Sequence, residues 1–315
     1  MNKEISQTTL KSKKPDILIR FRKSIPVYML ILPSTALLLI FHYLPIFGIS
    51  IAFQDYSVYK GVFGSTWVGI KYFERFLTDA NFWRVMRNTI IINVYDLIFG
   101  FPVPIIFALF LNELRSNKLK RVAQTISYLP HFISWVVVAG MVVTILSPST
   151  GLINIMLKNI FNTEPIHFLA KPQYFRSILV TADIWKHFGM SAVYYIAALS
   201  SIDMELYAAA SIDGAGRLRQ TWHITLPGLR LIIIVLLVLK MGKMINIGFE
   251  KVFLLYNPIL YEVGDVISTY TYRLGIEKNQ YSLTSAIGLT QSVINFILVF
   301  SANKLSRKIA GWSLW

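Results

Sequence analysis

Ionisable and amide side chains stand in this chain where apolar sequence surrounds them. Asp96, Asp183, Lys186, His187, Lys240 and Lys243, with Asn246, Gln291 and Asn295, all lie within long apolar stretches. A charge held in hydrocarbon is costly, so such residues are expected to have a function or a partner. Two chemistries fit. Asp96 and Asp183 could carry protons or a coupled ion. Alternatively, charges and amides could meet the hydroxyls of a sugar while Trp185, Tyr194 and Tyr195 stack on its rings. Each residue also has a plain structural reading: Asp183 pairs with Lys186 or His187 one helical turn away, and Lys240 pairs with Asp96 or with a partner subunit. Taken as a set, the residues favour a solute path, and the lysines would suit an acidic solute. Lys243, Asn246 and Glu250 follow i, i+3, i+7 spacing and so share one face of a helix. Catalysis finds no support. There is no cysteine, and the five histidines form no metal-binding pair. No GxxxxGK[ST] run is present that could hold and hydrolyse ATP. No catalytic residue, metal ligand or cofactor site is assigned.

The elements that position these residues are helices across a bilayer. The 315 residues are 55% hydrophobic and 15% charged, and mean hydropathy is +0.54. A soluble domain carries roughly 25% charged residues. Six stretches have the length of a span: Val27–Phe53, Asn88–Asn112, Val122–Leu146, Ser177–Ser201, Leu229–Phe249 and Leu283–Asn303. The fourth is interrupted by Asp183, Lys186 and His187. The expected organisation is a basic tail over 1–26, a six-helix membrane domain over 27–303 and a basic, aromatic tail over 304–315. The first span follows its basic flank without a small-residue cleavage site, so it reads as a retained helix. Net charge is +15. The positives crowd the ends of apolar runs, which points to orientation and anionic lipid rather than nucleic acid. Seven Lys/Arg precede the first span and four lie in Glu113–Arg121. The positive-inside rule then places both termini in the cytoplasm.

That rule also makes the polar island Tyr207–Pro227 (YAAASIDGAGRLRQTWHITLP) cytoplasmic. Asp203 is an N-cap candidate with Glu205 in the first turn. Ala208, Ala209 and Ala210 form helix without bulk and let a partner's backbone approach. Asp213-Gly214 ends that helix, Ala215 keeps the turn small, and Arg217, Arg219, Gln220 and His223 present a basic face. Leu226-Pro227-Gly228 should stop the segment. The whole loop, 203–228, reads as a surface held out toward a soluble partner.

The spacing of Ala209, Ala210, Asp213, Gly214, Ala215, Ile224, Thr225, Leu226 and Pro227 resembles the EAA loop of permease subunits of ATP-binding cassette importers. DIWKHFGMSAVYYIAALSSI at 183–202, KMGKMINIGFEKVFLLYNP at 240–258, DVISTYTYRLG at 265–275, SAIGLTQSV at 285–293 and the terminal SRKIAGWSLW resemble the LplB-type carbohydrate permeases. The resemblance implies an all-α, six-helix, type I importer (MetI-like) permease in a bacterial cytoplasmic membrane. It also implies a second six-helix permease, two ATPase subunits that hold the ATP and Mg, an extracytoplasmic solute-binding protein and an oligosaccharide substrate, including uronate-containing ones. The loop would then insert a coupling helix into a cleft on the ATPase. One departure stands out: Ala208 occupies the position of the signature glutamate. Glu205, about one turn earlier, or the partner permease would have to supply that acid. An ion-coupled carrier using Asp96 and Asp183 is the alternative, and it leaves the island loop without a role.

Overall fold

In a bilayer the backbone must satisfy its own hydrogen bonds, and apolar runs do so as helices. The computed structural model describes residues 17–311 and is built almost entirely of helix. Helix α1 (Ile17–Leu38) continues through tighter and wider turns to Phe53. It therefore begins inside the expected tail, and residues 1–16 lie outside the described residues. Gln54–Asp55 and Thr66–Trp67 form a short antiparallel pair, with Gln54 opposite Trp67. Helices α2 (Lys71–Leu77) and α3 (Ala80–Glu113) follow.

The expected third span, Val122–Leu146, is not one straight helix. Helix α4 (Asn117–Phe132) meets α5 (Trp135–Ile145) at 101°. Pro130 lies in a 3-10 turn, Ile133 is extended, and Ser134 caps the restart by accepting from the Val137 N–H. After α6 (Leu152–Phe161), helix α7 (Pro172–Leu199) runs unbroken through Asp183, Lys186 and His187. Its 28 residues reach about 42 Å, long enough to cross. Helix α8 (Met204–Ile212) is short, and α9 (Arg217–Gly228) turns by 56° into α10 (Arg230–Met241). Pro227 therefore bends the chain rather than stopping it. The expected fifth span, to Phe249, loses its helix at Met241. Helices α11 (Phe249–Phe253), α12 (Ile267–Tyr272) and α13 (Tyr281–Ala310) complete the bundle.

Three wide π turns each end two residues before a proline: Leu39–Tyr43 before Pro45, Asp96–Gly100 before Pro102 and Thr221–Thr225 before Pro227. Proline has no N–H and its ring crowds the carbonyl four residues back, so the helix widens to make room. In α3 this leaves the Phe101 N–H bonded to the Asp96 carbonyl at 3.1 Å.

Apolar packing forms three clusters along the bundle. Phe82 and Val85 of α3 belong to the first, with Phe76, Tyr270 and Ile287. Ile92 belongs to the second, with Leu179, Val180 and Val252. Ala108 belongs to the third, with Ala192, Tyr195 and Leu229. Asp96 of α3 and Asp183 and His187 of α7 lie between the second and third clusters. Gly189 sets the approach of α7 to α4, because a Cβ there would lie 2.1 Å from the Ser127 carbonyl oxygen.

Candidate functional site

Between the second and third clusters lies a cavity of about 190 Å³, bounded by α3, α7 and α10. Asp96, at the π turn, meets Lys240 of α10 at 2.9 Å. Lys240 also donates to the Asp96 carbonyl at 3.2 Å and sits over the Phe101 ring. One turn apart on α7, Asp183 and His187 line the same space. Asp183 is held by Lys251 at 3.1 Å and lies 3.7 Å from His187 Nε2. The other ring nitrogen, Nδ1, is 3.1 Å from His131 Nδ1. Tyr194 and Tyr195 line the cavity, Tyr194 exposed and Tyr195 buried. Trp185 does not line it and is 39% exposed elsewhere on α7.

Lys186 takes no part in that cavity. It is buried and pairs with none of the carboxylates; it donates to the carbonyls of Pro130 (3.4 Å), His131 (2.9 Å) and Ile133. At the break between α4 and α5 the Pro130 carbonyl also accepts the Ile133 N–H at 3.2 Å, and Lys186 serves the His131 and Ile133 carbonyls, which lie beyond the last turn of α4. Of the two partners expected for Asp183, His187 stands at 3.7 Å and Lys186 bonds elsewhere, while the nearer contact, at 3.1 Å, is Lys251. Sequence reasoning missed Lys251 and His131. Lys251 lies just beyond the expected fifth span, where a lysine reads as a loop charge. His131 lies in a span whose break was not anticipated.

The face expected of Lys243, Asn246 and Glu250 does not form, because the helix ends before it. Gly242 packs so tightly that a Cβ would meet Val299 at 2.3 Å, and i→i−3 bonds then carry the chain to Asn246. Gln291 of α13 donates to the Ile245 carbonyl at 2.8 Å and to the Asn246 side-chain oxygen. Lys243 and Asn246 are exposed, and the Asn295 Oδ1 is buried without a hydrogen-bond partner among the described residues. These amides lie apart from the Asp96–Lys240 cavity.

The island loop is held by bonds of its own. Asp203 accepts from the Glu205 N–H at 2.9 Å, as an N-cap should. At the other end Gly214 has φ +74°, its N–H bonds to the Ser211 carbonyl, and the Ala215 N–H reaches the Ala210 carbonyl at 2.9 Å. This double bond pattern closes a helix with glycine in the left-handed region. Gln220 ties Ser211 to the Ala215 carbonyl, both at 2.9 Å, and Tyr207 bonds Thr225. Glu205, Ala208, Ala209 and Asp213 are exposed, as is Pro227. Arg217 meets Glu113, at the end of α3, at 3.6 Å. Large apolar side chains also face outward here: Met204, Ile212, Leu218 and Trp222 are 69–88% exposed.

At the opposite end of α3, buried polar groups tie helices together. Asn88 donates to the carbonyls of Glu262 and Asp265 and accepts from Arg176. Asp265 is fully buried and paired with Arg273 at 2.5 Å. Burial would push the Arg273 guanidinium down, but the hydrogen bonds and charge of Asp265 hold it above its ordinary value.

Residues 100–311 match the family described as binding-protein-dependent transport system inner membrane component. The chain is 44% identical to protein LplB of Bacillus subtilis over 282 residues, covering 90% of this chain and 88% of that one. It is 42% identical to the polygalacturonan/rhamnogalacturonan transport system permease protein YteP of the same organism, covering 95% and 92%. Among solved structures, a chain of a bacterial ABC transporter involved in import of the acidic polysaccharide alginate superposes with a TM-score of 0.86. That chain is 40% identical, and the match covers 93% of this chain and 98% of that one. A complex of such an alginate transporter with an alginate pentasaccharide-bound periplasmic protein gives 0.86 at 39% identity, covering 95% and 99%.

Proposed function

The chain belongs to the family of inner membrane components of binding-protein-dependent transport systems, and from that premise we propose that it is one permease half of an ATP-driven importer of uronate-containing oligosaccharides. A second six-helix permease completes the path, a soluble binding protein delivers the sugar, and two ATPase subunits supply the energy. Both termini and α8 face the cytoplasm, in keeping with the basic residues of Glu113–Arg121 and of α9.

One observation carries this reading: a short capped helix, closed at Gly214, stands at one end of the bundle with Met204, Ile212, Leu218 and Trp222 bare to the outside. Clustered exposed apolar side chains of this size mark a protein contact. On this reading Ala208, Ala209 and Ala210 admit the ATPase surface, Glu205 supplies the acid that Ala208 lacks, and Asp213 and Arg217 border the contact. The loop moves with α9 and α10, so ATPase closure is passed to Lys240 and the cavity. Asp183, Tyr194 and Tyr195 then line the sugar path, while Lys243, Asn246, Gln291 and Asn295 form a second polar stretch. An ion-coupled carrier draws no support, because Asp96 and Asp183 already hold Lys240 and Lys251.

The test is affinity purification from a native membrane followed by uptake in proteoliposomes. An ATPase and a second permease should co-purify, and oligogalacturonate uptake should require ATP. Uptake that persists without ATP and collapses with a proton uncoupler would end this reading.

A further inference from the structure

The end of the bundle away from the coupling loop carries a cationic cleft that the transport cycle described above does not use. Helix α3 runs from Ala80 at this end to Glu113 at the coupling loop, 34 residues or about 51 Å. The cleft, of about 460 Å³, receives Arg75, Arg84, Arg273 and Lys278 against a single carboxylate, Asp79. That carboxylate is fully engaged: one oxygen accepts from Tyr270 at 2.6 Å, and the other accepts from the backbone and side chain of Asn81. Arg273 is committed to Asp265.

Arg84, Arg75 and Lys278 are not committed in this way. The Arg84 Nε is buried and has no hydrogen-bond partner among the described residues. Its nearest acid, Glu262, lies 3.7 Å from Nη1 and gives its better contact, 2.9 Å, to Arg87. Among the described residues the Arg75 guanidinium donates to the side-chain oxygen of Gln280, at 3.5 Å, and its charge also acts on Asp79. A buried guanidinium N–H without an acceptor is expensive, and a planar fork of such donors matches a carboxylate.

We propose that this cleft is a binding site for the carboxylate of an acidic sugar residue, which it receives before the sugar enters the membrane path. The proposal rests on the reading of the chain as an oligosaccharide importer and assigns acid selectivity to the outer cleft rather than to Lys240 or Lys243. A saccharide is favoured over an acidic protein surface because Arg84, which carries the open donor, lines a concavity. Tyr261, also in the lining, stacks on Tyr256 and lies 4.7 Å from the Arg273 guanidinium, which fixes that wall of the cleft.

The test uses the assembled importer in lipid nanodiscs without binding protein. The probes are trigalacturonate and its fully methyl-esterified form, whose binding is measured by calorimetry. Wild type should hold the free acid about tenfold more tightly than the ester, a difference of about 1.4 kcal/mol. Arg84→Gln and, separately, the exposed Lys278→Gln should shrink that ratio, whereas Arg84→Lys should retain part of it. Lys278→Gln removes an exposed side chain, so it reads the site even if Arg84→Gln disturbs folding. Equal affinity for acid and ester in wild type overturns the proposal, and so does an unchanged ratio in both glutamine variants. If the variants weaken capture of empty binding protein and leave the ratio intact, the cleft is a protein contact and the proposal also fails. ATP-driven uptake by the same importer in proteoliposomes supplied with binding protein separates the two readings: uptake that persists while acid preference is absent removes only the cleft.

Discussion

The coupling loop and the intramembrane cavity are held together in opposite ways. In the loop, the bonds that shape α8 and its turn join close neighbours: Asp203 to Glu205, Ala210 to Ala215, Ser211 to Gln220, and at the longest reach Tyr207 to Thr225, 18 residues apart. Around the cavity the reach is far greater. Lys240 meets Asp96 across 144 residues, and His187 meets His131 across 56. The loop is a local motif that a partner can find ready-made. The cavity exists only when four or five separate segments have packed.

This contrast can be tested, and the largest expected effect lies on the long-range side. Lys186→Met should destabilise the chain most, because it removes the lysine donor from the His131 and Ile133 carbonyls at the α4–α5 break, each at a cost of ~1–3 kcal/mol. Thermal unfolding in nanodiscs should show a marked drop, and Lys186→Arg should recover part of it. An unchanged melting temperature for Lys186→Met would show that the break holds its shape without the lysine.

Next in size is Asp96→Asn. It strands Lys240 beside the cavity, and the loss should fall below the ~3–5 kcal/mol of a fully buried pair, since this one is partly open. Asp96→Asn combined with Lys240→Met should be more stable than Asp96→Asn alone, which a double-mutant cycle measures. Additive losses would mean that the two side chains do not interact.

On the local side, Gly214→Ala forces a Cβ into the left-handed region at φ +74°, a strain of ~1–2 kcal/mol. Its signature should be selective: weaker co-purification of the ATPase with little change in unfolding of the membrane helices. A global loss of stability would show that the loop is not the separable motif described here. The smallest effect is expected of Ala208→Glu, which restores the signature acid at an exposed site, where an ion pair contributes ~0–1 kcal/mol. Slightly tighter ATPase binding that fades with added salt is the expected result; no change at any ionic strength would show that the acid is irrelevant here.

The helical membrane class and the termini of α8 were legible in the sequence. Apolar length, Asp203 as cap and Asp213-Gly214 as stop act through nearest neighbours, so reading along the chain reaches them. The Asp96–Lys240 pair was one of two open readings, and packing chose it. Reading along the chain failed where backbone or partners had to be chosen among distant options. Lys186 and Asp183 sit three residues apart and look like a pair, yet the broken α4–α5 segment offers Lys186 a set of carbonyls. Lys251, from a segment expected outside the fifth span, takes the carboxylate instead. Likewise, Lys243, Asn246 and Glu250 share a face only if the helix continues, and the close approach of Val299 to Gly242 coincides with its end.

By itself, then, the sequence determined that this chain spans a membrane with helices and how its coupling loop is capped. Those features depend on hydrophobic length and on hydrogen bonds between near neighbours. Only the tertiary structure decided which charge meets which, where the third and fifth spans break, and which cations remain uncommitted at the outer cleft. Each of these depends on which groups packing brings within about 3 Å of one another, and separation along the chain carries no information about that.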